Sequence, residues 1–371
     1  MASAQVSTGN GAGRPWTVIV GTGSCIPSRT VGNDAFLDRT FFEDYGRSFR
    51  PEDTPRIVAK LKEITDISER RYVADHQVAS DLALAAGERA LESAGTDPET
   101  LDYIIVAHNF GDVRADNRRS DLVPSLAARV KEQLRIASPA CVCYDLAFGC
   151  PGWLQAVIQA DYYLRSGDAR RALVIGTETL SRLSDPYDRD SMIYADGAGA
   201  VVVEARESET PVGILAHAAR SDTLDHARLL WMGASFNPDA VDHLCLKMQG
   251  RKLYEYALAT VPGVVQQSLE GAGVGLEQVD KVLIHQANGK MDDAILKRVY
   301  RLYGLHKIPD GVMPMTISWL GNSSVATLPT LLDLMQRGKI PGHILGSGAT
   351  AVFASVGAGM NVNAMVYRCA Q

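Results

Sequence analysis

Cysteine is scarce in this chain of 371 residues, which has only six, and no two of them form a Cys-x-x-Cys pair. Several lie in apolar runs, a pattern typical of free thiols in a reducing compartment that argues against a disulfide framework or a zinc site. An excess of positive charge is also missing, since the formal net charge is -6. We therefore expect neither a bound metal nor a nucleic-acid partner.

Long hydrophobic runs are absent as well, and no segment approaches the roughly 20 apolar residues that span a membrane. Residues 1–14 are rich in Ala, Ser, Gly and Thr and contain no apolar signal-peptide core, so we expect a disordered tail there. The sequence thus predicts a cytoplasmic protein with no membrane contact. Its hydrophobic content of 46% suits a large globular core.

The most informative stretch surrounds Cys150. Residues 140–146 form a short apolar run that predicts a buried strand, and residues 151–164 carry apolar side chains at helical spacing, with Pro151 at the first helical position. Cys150 therefore stands at a helix N-terminus, where unpaired N–H groups and the helix dipole favour a thiolate. It is a candidate nucleophile, although a buried inert cysteine is the common alternative at such a turn.

The two halves of the chain resemble each other. Leu-Glu-Ser-Ala-Gly at 91–95 is matched by Leu-Glu-Gly-Ala-Gly at 269–273, and in both copies a short loop and an apolar strand follow. Strands that alternate with helices predict crossover connections and a largely parallel or mixed sheet. We interpret the pattern as a duplication, with a tail at 1–14, an N-terminal half at 15–207 and a C-terminal half at 208–371 that share one core.

Two further turns carry polar side chains at predicted strand ends. His285 follows the strand at 282–284, at the position that Ala107 holds in the first copy, and Asn322 lies in a Gly-Asn-Ser-Ser turn. A cysteine can attack a thioester while histidine and asparagine donate hydrogen bonds to a developing oxyanion. Taken singly, His285 is more often structural and Asn322 more often a turn or helix-capping residue. The combination with Cys150 favours catalysis.

Several motifs together resemble those of β-ketoacyl-acyl-carrier-protein synthase III, a family of condensing enzymes in the thiolase superfamily. They are Asp-Leu-Ala-Phe-Gly-Cys-Pro-Gly at 145–152, Asp-Pro-Tyr-Asp-Arg at 185–189, Asp-Gly-Ala-Gly-Ala at 196–200, His-Gln-Ala-Asn at 285–288, Gly-Asn-Ser-Ser at 321–324 and Val-Gly-Ala-Gly-Met at 356–360. The resemblance spans about residues 18–368. It implies the five-layered αβαβα thiolase-like fold, built from two duplicated βαβαβαββ halves, and a homodimer.

The resemblance also implies a role for each candidate residue. Cys150 would take an acyl group from a thioester, and His285 and Asn322 would stabilise the enolate that forms when a malonyl thioester loses carbon dioxide. The oxyanion of the condensation step would lie between the backbone N–H groups of Cys150 and Ala358. The implied substrates are acyl-CoA or acyl-acyl-carrier-protein and a malonyl thioester, with no cofactor, in fatty-acid synthesis or a related acyl pathway.

The sequence departs from the family pattern at three positions, two of which concern substrate binding. Arg189 stands at a position that contacts the nucleotide of coenzyme A, but the tryptophan that often stacks on the adenine has no counterpart near Arg56. The coenzyme A donor is therefore left open. Pro151 follows the nucleophile where a small flexible residue is usual. Val123 replaces an aromatic residue that closes the acyl pocket of the partner subunit, which favours a longer or bulkier acyl chain than acetyl.

The basic residues Lys290, Lys297 and Arg298 lie on one face of the predicted helix after His285. The resemblance implies that this face docks the acidic acyl carrier protein, although a solvated helix face is the alternative. Neighbouring acidic residues dilute its charge. The segment at 342–350 is longer than usual for the family, and we expect a loop there.

Other activities compete with the leading one. A specialised member could join longer or two activated acyl chains to an alkylresorcinol-, quinolone- or head-to-head-type product, or transfer an acyl group without decarboxylation. A head-to-head synthase would need another carboxylate in its pocket, and neither Asp112 nor Asp121 lies in a matching motif. A Cys-His-Asn hydrolase would release free acid instead of a ketoacyl product, and a non-catalytic subunit would typically have lost the cysteine.

Overall fold

The computed structural model describes residues 15–240 and 244–370, so the predicted tail at 1–14 lies outside the described residues. The strands of the first half are β1 (Trp16–Cys25), β2 (Arg29–Gly32), β3 (Phe42–Asp44), β4 (Arg47–Ser48), β5 (Glu69–Tyr72), β6 (Tyr103–Ala107), β7 (Asp112–Val113), β8 (Ser120–Asp121), β9 (Val142–Leu146), β10 (Arg171–Thr179) and β11 (Asp196–Arg206). Its α-helices are α1 (Thr54–Thr65), α2 (Ala79–Ala94), α3 (Leu126–Gln133) and α4 (Gly152–Ser166).

The second half repeats this scheme with fewer strands. Its strands are β12 (Gly213–Ser221), β13 (Leu230–Gly233), β14 (Cys245–Met248), β15 (Lys281–Ile284), β16 (Thr350–Gly357) and β17 (Asn361–Arg368). Its α-helices are α5 (Thr223–His226), α6 (Gly250–Ala272), α7 (Gly289–Leu302), α8 (Ile317–Leu320) and α9 (Thr327–Gln336). The predicted boundary between residues 207 and 208 falls in the loop between β11 and β12.

Each half contributes one large mixed sheet. The first has the strand order β1-β11-β10-β6-β9, in which β6 runs parallel to both β10 and β9. The second has the order β12-β17-β16-β15, with β15 parallel to β16. Because the carboxyl ends of neighbouring parallel strands meet at one edge of a sheet, the residues that follow β6, β9 and β10 come together, as do those that follow β15 and β16.

Helices cover the sheets in alternating layers. The apolar faces of α2 and α3 pack on one side of the first sheet, and those of α6 and α7 pack on one side of the second. Between the two sheets lie α4 and α9, whose buried side chains form one continuous core with both. The predicted five-layered αβαβα fold is confirmed, and its central layer begins where the candidate site lies.

The internal repeat has a physical basis at two equivalent aspartates. Asp102 precedes β6, and its carboxylate accepts hydrogen bonds from the backbone N–H groups of Arg170 and Arg171 at 2.7 and 2.9 Å. Asp280 precedes β15, and its carboxylate accepts one from the Thr350 N–H at 2.8 Å. In each half the carboxylate fixes the start of the adjacent parallel strand, so the repeat preserves strand register.

One local prediction needs correction, and one polar loop is more ordered than its composition indicates. The strand predicted at 140–146 begins at Val142 and forms the outer edge of its sheet, so it is half-exposed instead of buried, with Val142 at 49% exposure. The polar stretch at 111–121 is partly buried. Its ends pair as β7 and β8, and the buried Asp112 carboxylate accepts hydrogen bonds from Ser80 and Arg129.

Two further findings concern the cysteines and the apolar helices. None of the six cysteines, all of which lie within the described residues, is in a disulfide. In the described part of the chain, no helix combines the length and the apolar character needed to cross a membrane.

Candidate active site

A cavity of about 800 Å³ opens where the carboxyl ends of the parallel strands of both halves meet. The candidate site residues on its wall are Cys150, Arg189, His285, Asn322 and Ala358. Most of the remaining wall is apolar and comes from α1, β13, β14 and the start of α6. The structure thus brings the cysteine of the first half together with the histidine and the asparagine of the second, in a cavity that suits an acyl chain.

Cys150 lies in the turn between β9 and α4, and α4 begins at Gly152, one residue later than predicted. The Ser324 hydroxyl donates a hydrogen bond to the Cys150 Sγ at 3.4 Å. Burial raises the pKa of the Cys150 thiol to about 11, the Ser324 hydrogen bond opposes this rise, and the Glu178 carboxylate adds to it. Burial therefore acts against the thiolate that the position at a helix N-terminus was predicted to favour.

Two glycines bring the backbone N–H groups of Cys150 and Ala358 close to each other. Gly149 has a φ of +68°, and a Cβ there would lie 2.6 Å from the Ala358 nitrogen. A Cβ on Gly357 would lie 2.5 Å from the Cys150 nitrogen. No larger residue fits at either position without displacing backbone, so the two turns are held in a geometry that suits a pair of oxyanion donors.

His285 follows β15 and is only 2% exposed. Neither of its ring nitrogens has a hydrogen-bond partner in the described structure. Burial lowers the pKa of His285 to about 4, so the imidazole is neutral at pH 7 and offers one donor and one acceptor. The alternative of a hydrogen-bonded structural histidine does not fit this environment, since a buried polar group without a partner is costly unless a ligand supplies one.

Asn322 has its backbone fixed on both sides by the segment that follows Arg189. Its N–H donates to the Ile193 carbonyl at 3.0 Å, and its carbonyl accepts from the Ala195 N–H at 2.8 Å. The side-chain Oδ1 accepts a hydrogen bond from the Ser324 N–H at 2.8 Å. Asn322 is therefore a turn residue, as the alternative held, and the same bond leaves its Nδ2 to donate to a substrate.

The other polar residues of the His-Gln-Ala-Asn motif have structural roles. The Gln286 Oε1 accepts hydrogen bonds from the N–H groups of Thr316 and Ile317 at 2.8 and 2.9 Å. Gln286 thereby ties the end of β15 to the segment that leads to Asn322. The Asn288 Oδ1 accepts from the Met291 N–H at 3.1 Å and caps α7.

Sequence reasoning missed several polar residues of the cavity. Asn109, Asp190 and Tyr194 line it, and the buried Tyr194 hydroxyl has no hydrogen-bond partner in the described structure. Burial raises the pKa of Asp190 to about 7, with repulsion from Asp188 adding to the rise. Asp190 and Tyr194 lie between the recognised motifs at 185–189 and 196–200. This position was the one feature of the sequence that could have indicated that they line the site.

Basic side chains and an aromatic ring lie at the wall formed by α1, α6 and the Arg189 segment. Arg56, Lys60, Arg189 and Arg251 line the cavity there. The Arg189 guanidinium lies 5.6 Å from the ring centroid of Phe49, within cation–π distance. Phe49 supplies an aromatic face that motif comparison had missed, and Trp231 of β13 also lines the cavity.

The remaining predicted binding residues lie outside this cavity. Val123 is 85% exposed. On α7, Lys290 lies 3.6 Å from Glu63 and Lys297 lies 2.5 Å from Asp293, while Arg298 donates to the Leu258 carbonyl. In residues 15–240 and 244–370, no group of three or more His, Cys, Asp or Glu side chains is arranged to hold a metal ion.

The chain is similar in sequence to a known protein family. The sequence profile of 3-oxoacyl-[acyl-carrier-protein (ACP)] synthase III matches residues 144–223, and the profile of its C-terminal region matches residues 269–369. The β-ketoacyl-[acyl-carrier-protein] synthase III of Erythrobacter litoralis (strain HTCC2594) is 32% identical over 354 residues, which cover 94% of this chain and 98% of that protein.

Solved structures give the same result. The 3-oxoacyl-[acyl-carrier-protein] synthase III of Aquifex aeolicus VF5 is 28% identical with a TM-score of 0.75, over 95% of this chain and 99% of that one. The priming β-ketosynthase of the R1128 polyketide biosynthetic pathway is 25% identical with a TM-score of 0.78, over 98% of this chain and 99% of that one.

The fold and these similarities define a thiolase-like condensing enzyme, an acyltransferase that performs a decarboxylating Claisen condensation. Within that class, the chain belongs to the β-ketoacyl-[acyl-carrier-protein] synthase III family.

Proposed function

We propose that Cys150 carries the acyl group and that His285 and Asn322 act on a malonyl thioester. The observation that carries this proposal is the convergence of all three side chains on one largely apolar cavity. In the first step the Cys150 sulfur attacks the carbonyl of an acyl thioester. The donor thiol departs with the proton of Cys150, and the acyl group stays on the enzyme.

The second step uses the donors of the other half. The malonyl thioester loses carbon dioxide, and the electron pair of the broken bond becomes an enolate. The neutral His285 imidazole and the Asn322 Nδ2 donate hydrogen bonds to the enolate oxygen. Because the cavity wall is largely apolar, such donors are worth more than they would be in water. A charged carboxylate is also poorly solvated there, which favours its departure as carbon dioxide.

The third step forms the product. The enolate carbon attacks the acyl-Cys150 carbonyl, and the oxyanion of that adduct accepts hydrogen bonds from the N–H groups of Cys150 and Ala358. Collapse of the adduct expels the Cys150 sulfur and leaves a β-ketoacyl thioester. This sequence uses only groups of the chain and its two substrates, so no cofactor is required.

The donor thioester is proposed to carry a phosphorylated carrier group, from coenzyme A or an acyl carrier protein. Arg56, Lys60, Arg189 and Arg251 supply positive charge at the cavity wall, and Phe49 offers a ring beside Arg189. Both carriers bear phosphate and a long neutral arm, so this chemistry fits either. The carrier protein is proposed to dock on the α7 residues Lys290, Lys297 and Arg298.

The chain is further proposed to act as a homodimer. The outer strand β9 presents an open backbone edge, and nearby Leu122, Val123 and Val142 are 50%, 85% and 49% exposed. An unpaired edge with exposed apolar side chains is a template for pairing with a second copy. Sedimentation analysis of wild-type protein and Val142→Arg tests this, since a wild-type monomer, or a variant that stays dimeric, contradicts it.

Mass spectrometry of the intact protein tests the proposed chemistry. Wild-type protein incubated with a panel of acyl-CoA thioesters should gain one acyl mass, and Cys150→Ala should gain none. Addition of malonyl thioester should then release the acyl group as a ketoacyl product. Release of free acid would indicate a hydrolase, and loading that persists in Cys150→Ala would place the acyl group elsewhere.

A further inference from the structure

Behind Cys150 lies a buried carboxyl group that the proposed chemistry does not use. Glu178, near the end of β10, is 1% exposed. Its Oε1 accepts two hydrogen bonds from one residue, Asn109: from the backbone N–H at 2.9 Å and from the side-chain Nδ2 at 2.6 Å. Both groups of Asn109 that can donate are thus directed at a single oxygen, which fixes its side chain.

Asn109 in turn holds the turn that contains the nucleophile. Its Oδ1 accepts a hydrogen bond from the Gly149 N–H at 2.8 Å. Its Nδ2 lies 3.5 Å from the Ser324 hydroxyl, the group that donates to the Cys150 Sγ. Asn109 also lines the cavity. A continuous path of hydrogen bonds therefore runs from Glu178 through Asn109 to both sides of Cys150.

The strand order explains why these residues meet. β6 lies between β10 and β9 and runs parallel to both. Asn109 follows β6, Glu178 lies near the end of β10 and Gly149 follows β9, so the three occupy one edge of the sheet. Asn109 follows the central strand and bridges Glu178 and Gly149 on either side of it. The three residues are far apart in sequence, so only this strand order brings them together.

We propose that Glu178 is a positioning residue of the reaction, which acts through Asn109 to hold the Gly149–Cys150 turn that presents the thiol and its backbone N–H to an acyl thioester. This inference rests on the proposed role of Cys150 as acyl acceptor. An oxyanion donor is effective only when it is held in place before the reaction. Gly149, with its left-handed backbone, has no side chain of its own to fix that turn.

The charge of Glu178 gives this role a second readout. Burial raises the pKa of Glu178 to about 7, and its neighbours His108 and Asn109 oppose the rise while Asp196 adds to it. When ionised, Glu178 disfavours the Cys150 thiolate. Removing the charge while keeping the acceptor should therefore make Cys150 easier to ionise without releasing the turn.

Three variants separate the acceptor from the charge. Glu178→Gln keeps an Oε1 for both Asn109 donors and removes the charge, Glu178→Leu removes both, and Asn109→Ala removes the link and keeps the carboxylate. Asp161→Asn is the matched control, because Asp161 is a buried carboxylate on α4 that does not line the cavity. Each variant is measured for acyl loading of Cys150 and for its alkylation by iodoacetamide between pH 6 and 11, the mass change being read by mass spectrometry.

The expected pattern is specific. Glu178→Leu and Asn109→Ala should lose acyl loading on the order of 100-fold through misplacement of the nucleophile, and Glu178→Gln should stay within a few-fold of wild type. The alkylation profile of Glu178→Gln should move to lower pH, with that of Asp161→Asn unchanged. If Glu178→Leu does not fold, Asn109→Ala carries the loading comparison alone.

Three results would overturn the proposal: equal losses in the Gln and Leu variants, unchanged loading in Asn109→Ala, or an alkylation profile that does not move in Glu178→Gln. Alkylation needs no acyl substrate. A wild-type protein that loads no acyl group but alkylates in the predicted order would contradict the proposed function and leave only the effect of Glu178 on the Cys150 thiol standing.

Discussion

Strand β6 of the first half ends at Ala107, which is fully buried, whereas the corresponding strand β15 of the second half is followed by His285. The residues after these two are again equivalent in position: His108 contacts the Asp145 carboxylate, and Gln286 accepts hydrogen bonds from the segment that leads to Asn322. The scaffold is therefore duplicated while the reactive groups are not. The first half adds Cys150 to the shared cavity, and the second half adds His285 and Asn322.

The electrostatic environments of the two halves also differ. The Cys150 Sγ accepts a hydrogen bond from the Ser324 hydroxyl of the second half, whereas the ring nitrogens of His285 have no partner in the described structure. Burial nevertheless keeps both neutral, because it raises the pKa of the thiol to about 11 and lowers that of the imidazole to about 4. Burial thus acts against a thiolate–imidazolium pair at neutral pH. This separation supports a division of labour, with acyl transfer in one half and malonyl activation in the other.

The strongest test of this division removes the donors of the second half. In His285→Ala or Asn322→Ala, the enolate loses a donor, and the malonyl decarboxylation rate should fall about 100- to 1,000-fold. Acyl loading of Cys150 should stay within a few-fold of wild type. Radiolabelled carbon dioxide release and intact-protein mass spectrometry measure the two steps separately.

The complementary variant removes the nucleophile of the first half. Cys150→Ala should abolish acyl loading and retain decarboxylation of the malonyl thioester, since the donors of the second half remain. If loading falls as steeply as decarboxylation in His285→Ala, the histidine acts on Cys150 as a base. In that case the two halves do not work separately.

The pH dependence of folding tests the environment of His285. The folded protein binds no proton there until about pH 4, but the unfolded chain binds one below about pH 6.5. Unfolding therefore takes up a proton in this window, and stability is lost as the pH falls from 6.5 to 4, by about 3 kcal/mol for this one group. His285→Gln does not titrate, so it should not incur this loss.

Denaturant unfolding of both proteins at several pH values measures that difference. Buried acids with raised pKa values, such as Glu178, affect wild type and variant alike and cancel in the comparison. The free energies of unfolding of the two proteins should converge or cross as the pH falls. Parallel curves between pH 7 and 4 would mean that His285 is hydrated in solution.

The sequence was sufficient to predict the residues that stand in recognisable turns. Cys150, His285 and Asn322 each follow an apolar run and precede a helical pattern, and the repeat assigned them to different halves. These turns, and the alternation of strands and helices from which the layered fold was predicted, are patterns that can be read directly from the sequence. The state of ionisation of Cys150 was not predictable in this way, because it depends on how completely the neighbouring elements exclude water.

Residues that act through tertiary contacts were also beyond sequence reasoning. Asn109 follows a strand as any loop residue does, and Glu178 stands in an unremarkable Thr-Glu-Thr run. Only the order β10-β6-β9 places one beside the other and both behind Cys150. Phe49 was missed for the same reason, since 140 positions separate it in sequence from Arg189, on which its ring packs.

A smaller effect is expected on the preference for acyl chain length, which we attribute to Val123. Val123 is proposed to reach the acyl pocket of a partner subunit, where a small side chain leaves room for a long acyl chain. Val123→Phe should lower loading of octanoyl relative to acetyl by about 10-fold, since each lost methylene contact in such a pocket is worth about 1 kcal/mol. Competition between the two acyl-CoA thioesters gives the ratio, and an acetyl preference already present in wild type contradicts the idea.

The smallest effect is expected on the surface of the second half. Reversal of charge in Lys297→Glu and Arg298→Glu should raise the Michaelis constant for a carrier-bound malonyl substrate several-fold and leave that for malonyl-CoA unchanged. Exposed charge pairs contribute little individually, and Lys297 already pairs with Asp293. The effect should therefore shrink in high salt. Lys339→Glu, on the loop after α9, is the matched control, and an equal rise there would assign the effect to net charge instead of to a docking surface on α7.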